Sequence, residues 1–249
     1  VWAIAAVLFR QSLIALMCGL LFAVHPMATE PVNYVSSRSE LLAGMLYLGS
    51  FLTYLAAERA ATLRHLSIVL FAFGLLSKAT LVTLPLVLLV YDLCLVERVR
   101  DLSAAVSVVR ARWRAYTPYW ALVLLYFWLI KGVGFIDRSL AAPVRDWGTQ
   151  LWTQTKAPAY YAKLMVMPIG QNVEHQFFES PSPASGVVVM GTFLVMSILG
   201  ILWLTRTRVG GFCVGWCVIF LLPTLVMPLN VLVNERRLYL VAAGFAWLL

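Results

Sequence analysis

Charge is what this chain has least of. Only 12% of its 249 residues are Asp, Glu, Lys or Arg, while 62% are hydrophobic. Soluble domains carry about 25% charged residues and about 45–50% apolar ones. A soluble protein of this length would need more polar surface than the chain owns. Other absences narrow the chemistry. There is no Walker A loop, no dinucleotide-binding glycine fingerprint and no HExxH, so nucleotide hydrolysis and zinc proteolysis lack support. Only four cysteines occur, and Cys18, Cys94, Cys213 and Cys217 all fall in apolar segments. They read as small hydrophobes; neither a disulfide nor a zinc site is expected of them. Internal repeats, heptads and low-complexity tracts are also missing.

What is there is a series of apolar segments along the whole chain, too many for a signal peptide. A membrane span needs about 20 apolar residues. Nine candidates stand out: 1–9, 12–24, 40–57, 65–77, 80–96, 117–134, 186–204, 209–227 and 237–249. The expected fold is an all-α polytopic membrane bundle of about nine spans, the first and last truncated. Two candidates are short, and 12–24 is expected to extend into 9–11, and 65–77 toward Ala60. Since the chain opens at Val1 and closes at Leu249 inside apolar runs, it is read as one transmembrane domain of a longer protein.

The net charge of +8 would suggest nucleic acid in a soluble protein. Here it sits mostly in short loops and sets orientation. With the turn at Arg10 cytoplasmic, the strongly basic loop 97–116 falls inside with no adjustment. The loops 25–39, 135–185 and 228–236 and the turn Ser77–Lys78 then fall outside. Loop 135–185 is too long for a connector. Its Trp, Tyr and Lys spacing predicts one or two interfacial helices over 146–166.

Three outer stretches carry polar groups that a plain connector does not need. In HPMATEPVNYVSSRSE (25–40), Ser37-x-x-Glu40 fits a helix capping box. Glu30 and Arg38 are harder to account for, because charges at a bilayer edge need a partner or water. In LLSKATLVTLPLVLLVYD (75–92), Lys78 stands between two apolar segments, either snorkelling or meeting an anion such as a lipid phosphate. In VNERRLYL (233–240), Glu235, Arg236 and Arg237 form either a loop with an internal ion pair or a grip for an anion. At the inner end of its span, Asp92 is expected to pair with an arginine such as Arg98.

These stretches, in this order and spacing, resemble a known pattern. HPMATEPVNYVSSRSELLAG is similar to the HP-x-x-TE-x-V … R-x-(D/E)-LLA signature of the transmembrane and tetratricopeptide-repeat (TMTC-like) O-mannosyltransferase family and its bacterial relatives. LLSKATLVTLPLVLLVYD resembles that family's SKE-x-x-x-x-LP … YD, and NERRLYL its ER-x-LYLP. Ala79 departs from the family's acid after Ser-Lys. The resemblance implies a GT-C-class glycosyltransferase that takes a sugar from a polyprenyl or dolichyl phosphate on the outer (periplasmic or luminal) face. The acceptor would be a hydroxyl of a protein or glycan. It implies a catalytic carboxylate in a loop before Val1 and tetratricopeptide repeats beyond Leu249, and it leaves an assisting divalent metal open.

Carried onto this sequence, the resemblance implies Glu30 as a catalytic carboxylate that assists the base expected before Val1, and Lys78, Arg236 and Arg38 as lipid-phosphate ligands. His25, Glu235 and Tyr239 would support them. Glu174 and His175 are read from their position as lining the acceptor side. A transporter or lipid-sugar flippase, and a non-catalytic membrane scaffold, remain as alternatives. Charges clustered at one face and unrepeated halves favour the enzyme.

Overall fold

A computed structural model describes residues 1–58, 60–99, 101–134, 146–172, 177–205, 207–226 and 232–249. Among them all regular structure is helical. The α-helices are α1 (Trp2–Phe9), α2 (Ser12–Val24), α3 (Thr29–Asn33), α4 (Arg38–Ala56), α5 (Ala61–Ser77) and α6 (Leu84–Tyr91). They continue as α7 (Leu102–Gly132), α8 (Trp147–Val166), α9 (Gly186–Thr205), α10 (Arg208–Val226) and α11 (Leu238–Leu248). α1 packs on α2, α4 on α5, α8 on α9 and α10 on α11.

The expected count of nine spans is not what the helices give. Among the described residues, two stretches are long and apolar enough to cross a membrane, Val35–Ala56 and Ala79–Val96. A third qualifies only if the bent pair Ser12–Val24 and Pro26–Asn33, angled at 55°, acts as one span. For the short candidates the physical reason is length. A helix rises about 1.5 Å per residue and a bilayer core is about 30 Å thick. α2 has 13 residues and stops where Pro26 follows His25, whose backbone is extended. It does not reach into 9–11 either, because Arg10 is left-handed and Gln11 extended. α5 does begin at Ala61 as expected. The apolar segment 117–134 lies mostly in the 31-residue α7, where Thr117, Pro118, Tyr119 and Trp120 dilute its hydropathy.

Aromatic rings fill the centre. Tyr47 and Phe51 of α4 meet Phe212, Trp216 and Phe220 of α10, and Trp247 of α11 stacks on Phe212 and meets Trp216 edge-on. Edge and tilted ring contacts of this kind add about 0.5–1.5 kcal/mol each beyond area burial. The indole of Trp216 is satisfied by the Leu240 carbonyl at 2.7 Å.

Residues 147–166 form one helix whose polar side is turned inward. Gln150, Thr153, Gln154 and Lys156 are all buried. The segment 177–180 folds back over them. Lys156 donates to the Phe178 carbonyl and to Ser180 Oγ, and lies over the Phe177 ring. Ser180 donates its amide to Thr153 Oγ1 at 2.8 Å. This polar side of the helix is thus covered by 177–180.

α5 turns sharply into the next helix. Its cap, Lys78, is extended, a 3-10 turn covers Ala79–Thr83, and Pro85 opens α6, a position where proline lacks nothing. The turn requires Gly74, since a Cβ there would sit 1.8 Å from Leu81 Cδ2, and Leu81 is fully buried. Gly74→Ala is therefore expected to lower stability by about 1–3 kcal/mol, read as thermal unfolding in detergent. An unchanged midpoint would contradict this packing.

Candidate functional site

Polar groups collect at the two ends of α4. At one end α4 offers Glu40 in its first turn, and the α5–α6 joint offers Lys78. The two form an ion pair, with the side chains 31% and 11% exposed for Lys78 and Glu40. Ser37 sits at the N-cap of α4 but makes no capping bond. The capping-box reading of Ser37 and Glu40 is thus corrected: burial of Lys78 at a helix break demands a counter-charge more strongly than the helix start demands a cap.

The same end receives the α10–α11 connection. Asn234 caps the turn Glu235–Arg237 by accepting from the Arg236 amide at 3.0 Å. That amide also donates to Glu30 Oε2 at 3.1 Å, and Arg236 Nε lies 4.0 Å from Glu30 Oε1. The Glu30 side chain is only 7% exposed, so its charge is held where a partner matters most. Arg237 donates to the Leu232 carbonyl at 3.0 Å. Burial pulls the Lys78 amine down to about 8, the charges of Arg236 and Arg237 push the same way, and Glu30 opposes them. Three segments far apart in sequence therefore share one electrostatic neighbourhood.

The remaining expected residues divide. His25 is buried; its Nδ1 accepts from the Met27 amide, which leaves Nε2 to donate to the Met165 carbonyl at 3.0 Å. It ties the first connection to the end of α8. Glu235 is buried and accepts from the Asn172 amide at 2.8 Å. Tyr239 packs on Phe22 and lies so close to Gly44 that a Cβ there would be 2.7 Å from its ring. Arg38 opens α4 but is exposed, without an ion pair among the described residues. Glu174 and His175 lie outside the described residues. Among the described residues no group of three or more His, Cys, Asp or Glu gathers as a metal site.

Sequence reasoning missed Glu40 as a partner for Lys78. The signal was there: a lysine between two apolar segments with no acid beside it needs its carboxylate from another segment.

The other end of α4 carries a second cluster. Asp92 is fully buried at the start of a π-turn over Asp92–Val96. Its Oδ2 accepts from Tyr54 at 2.7 Å and Tyr116 at 2.6 Å, and its Oδ1 lies 3.3 Å from Arg112. Arg112 also pairs with Glu97. The expected partner Arg98 is thereby replaced by Arg112. Arg112 and Tyr116 are four apart on α7 and share a face, whereas Arg98 sits in a left-handed loop position.

With the site laid out, comparison with known proteins adds one thread. The chain is similar to Protein O-mannosyl-transferase Tmtc3 of Drosophila melanogaster, 27% identical over 288 aligned positions that take in 94% of this chain and 31% of that protein. It is also similar to Protein O-mannosyl-transferase Tmtc2 of the same organism, 28% identical over 179 positions, 66% of this chain and 18% of that protein. The chain thus spans about a third or less of these relatives. No protein-family model matches it, and no solved structure does.

Proposed function

We propose that this chain is the membrane part of a GT-C-like glycosyltransferase that moves a sugar from a polyprenyl or dolichyl phosphate to an acceptor hydroxyl at the outer face. The observation that carries the reading is the joint electrostatics of Lys78, Arg236 and Arg237 at one end of the bundle. The names of the two relatives, both protein O-mannosyl-transferases, support mannose and a protein acceptor.

The proposed chemistry is a displacement at the sugar's anomeric carbon. The acceptor oxygen forms the new bond there as the bond to the phosphate oxygen breaks. The electron pair leaves with the lipid phosphate, and Lys78 and Arg236 stabilise that charge in a water-poor site. The hydroxyl proton passes to a carboxylate, and Glu30 is the candidate this chain supplies. Arg38 is placed to join only as an exposed, outlying cation. Asn234 and Glu235 shape the turn that presents Arg236.

The test is the full-length protein in liposomes with a labelled polyprenyl-phosphate mannose and a Ser/Thr-containing protein acceptor. Label appearing on the acceptor is expected. Donor crossing the bilayer with no label transferred would instead establish a flippase.

Lys78 also gives the site a pH signature. Its amine loses charge as pH rises through about 8, so binding of an isoprenyl phosphate is expected to weaken between about pH 8 and 9.5. Lys78→Arg stays charged throughout and should flatten that fall. A flat wild-type profile would count against Lys78 as a ligand.

A further inference from the structure

At the Lys78 end, Lys78 pairs with Glu40 and Arg236 with Glu30, and Glu235 precedes Arg236 in the same turn. As it stands Lys78 and Arg236 each already face a carboxylate, and a phosphate would have to compete for them. For an anion to enter, one carboxylate must give way. Their bonding separates the three. Glu30 accepts from the Arg236 backbone amide, and Glu235 from the Asn172 amide, so moving either would break a connection that shapes the site. Glu40 projects from the first turn of α4, and Lys78 is its partner among the described residues.

We infer that Glu40 is an internal placeholder for the lipid phosphate: it neutralises Lys78 in the empty site and is displaced when the phosphate arrives. The inference rests on the phosphate-clamp reading above and assigns Glu40 a regulatory role. Lys78 is a compact point charge on a flexible stem, suited to exchanging one oxyanion for another. A lysine at a helix break with no occupant would leave a half-buried charge unmatched, which is costly. The placeholder removes that cost between turnovers and sets a threshold that a weak anion does not cross. Apparent affinity then falls in proportion to the fraction of molecules with Lys78 released.

The experiment measures binding of farnesyl phosphate, a short isoprenyl phosphate, and of inorganic phosphate to the full-length protein in nanodiscs. Wild type, Glu40→Gln, Lys78→Ala and the double variant are compared. Glu40→Gln keeps the shape and removes the charge; it should tighten farnesyl phosphate binding about fivefold. The gain should vanish on the Lys78→Ala background, since coupled residues are non-additive. Tighter binding of farnesyl phosphate than of inorganic phosphate marks the lipid as the ligand; equal binding overturns that assignment. Unchanged or weaker binding by Glu40→Gln, with Lys78→Ala still weakening it, overturns the placeholder and leaves the clamp standing. No effect of Lys78→Ala overturns both. Glu40→Ser, which also lacks the charge, repeats the comparison if Glu40→Gln does not yield a folded protein.

Discussion

Lys78→Ala and Arg236→Ala are each expected to lower sugar transfer by about 100- to 1,000-fold, the usual loss when one preorganised donor to a developing negative charge is removed. The loss should fall on kcat at least as much as on donor KM, because the leaving phosphate gains charge as the sugar departs. The two residues reach the site by different routes. Lys78 stands at the break between α5 and the 3-10 turn that precedes α6. Arg236 lies in the turn before α11, held through its own amide by Glu30 and Asn234. Arg38→Ala is the contrast: an exposed cation with no ion pair among the described residues should change transfer by less than about tenfold, since exposed charges are well screened. Steady-state rates with a fixed acceptor and varied donor separate these cases. Equal losses for all three variants would mean that net positive charge, and not a clamp, sets the rate.

The second large effect is at the other end of α4. Glu40 and Tyr54 are separated by about 21 Å along the helix, at about 1.5 Å per residue. Asp92 is buried between two phenols and an arginine. Tyr54→Phe combined with Tyr116→Phe removes both hydroxyl donors and leaves the carboxylate with Arg112. That is expected to destabilise the protein by about 3–5 kcal/mol, measured as unfolding in detergent. Adding Asp92→Leu removes the stranded charge too and should recover most of the loss. Donor KM should stay within about twofold throughout, as sites this far apart are usually independent. A shifted KM would show that the two ends communicate.

Part of this was legible in the sequence. Glu30 and Arg236 stood out because charges beside long apolar runs need a reason, and the structure brings them into contact across 206 positions of the chain. Glu40 was hidden by local grammar: Ser37-x-x-Glu40 is a good helix start, and only the fold reveals that Lys78 outcompetes the cap. The span count failed for a different reason. Hydropathy counts apolar segments, but it does not see that Arg10 is left-handed and Gln11 extended, which keeps α2 at 13 residues. Asp92 was seen to need an arginine; which one depends on a π-turn and on the face of α7, neither of which composition encodes. That α8 turns Thr153, Gln154 and Lys156 inward under 177–180 depends on contacts that its own residue pattern does not encode.

The most direct test is to see where the phosphate goes. A structure of the full-length protein with a bound isoprenyl phosphate should place the phosphate oxygens about 2.7–3.2 Å from Lys78 Nζ and from the Arg236 guanidinium, with Glu40 turned away from Lys78. A phosphate bound elsewhere, with the Lys78–Glu40 pair intact, would contradict the account.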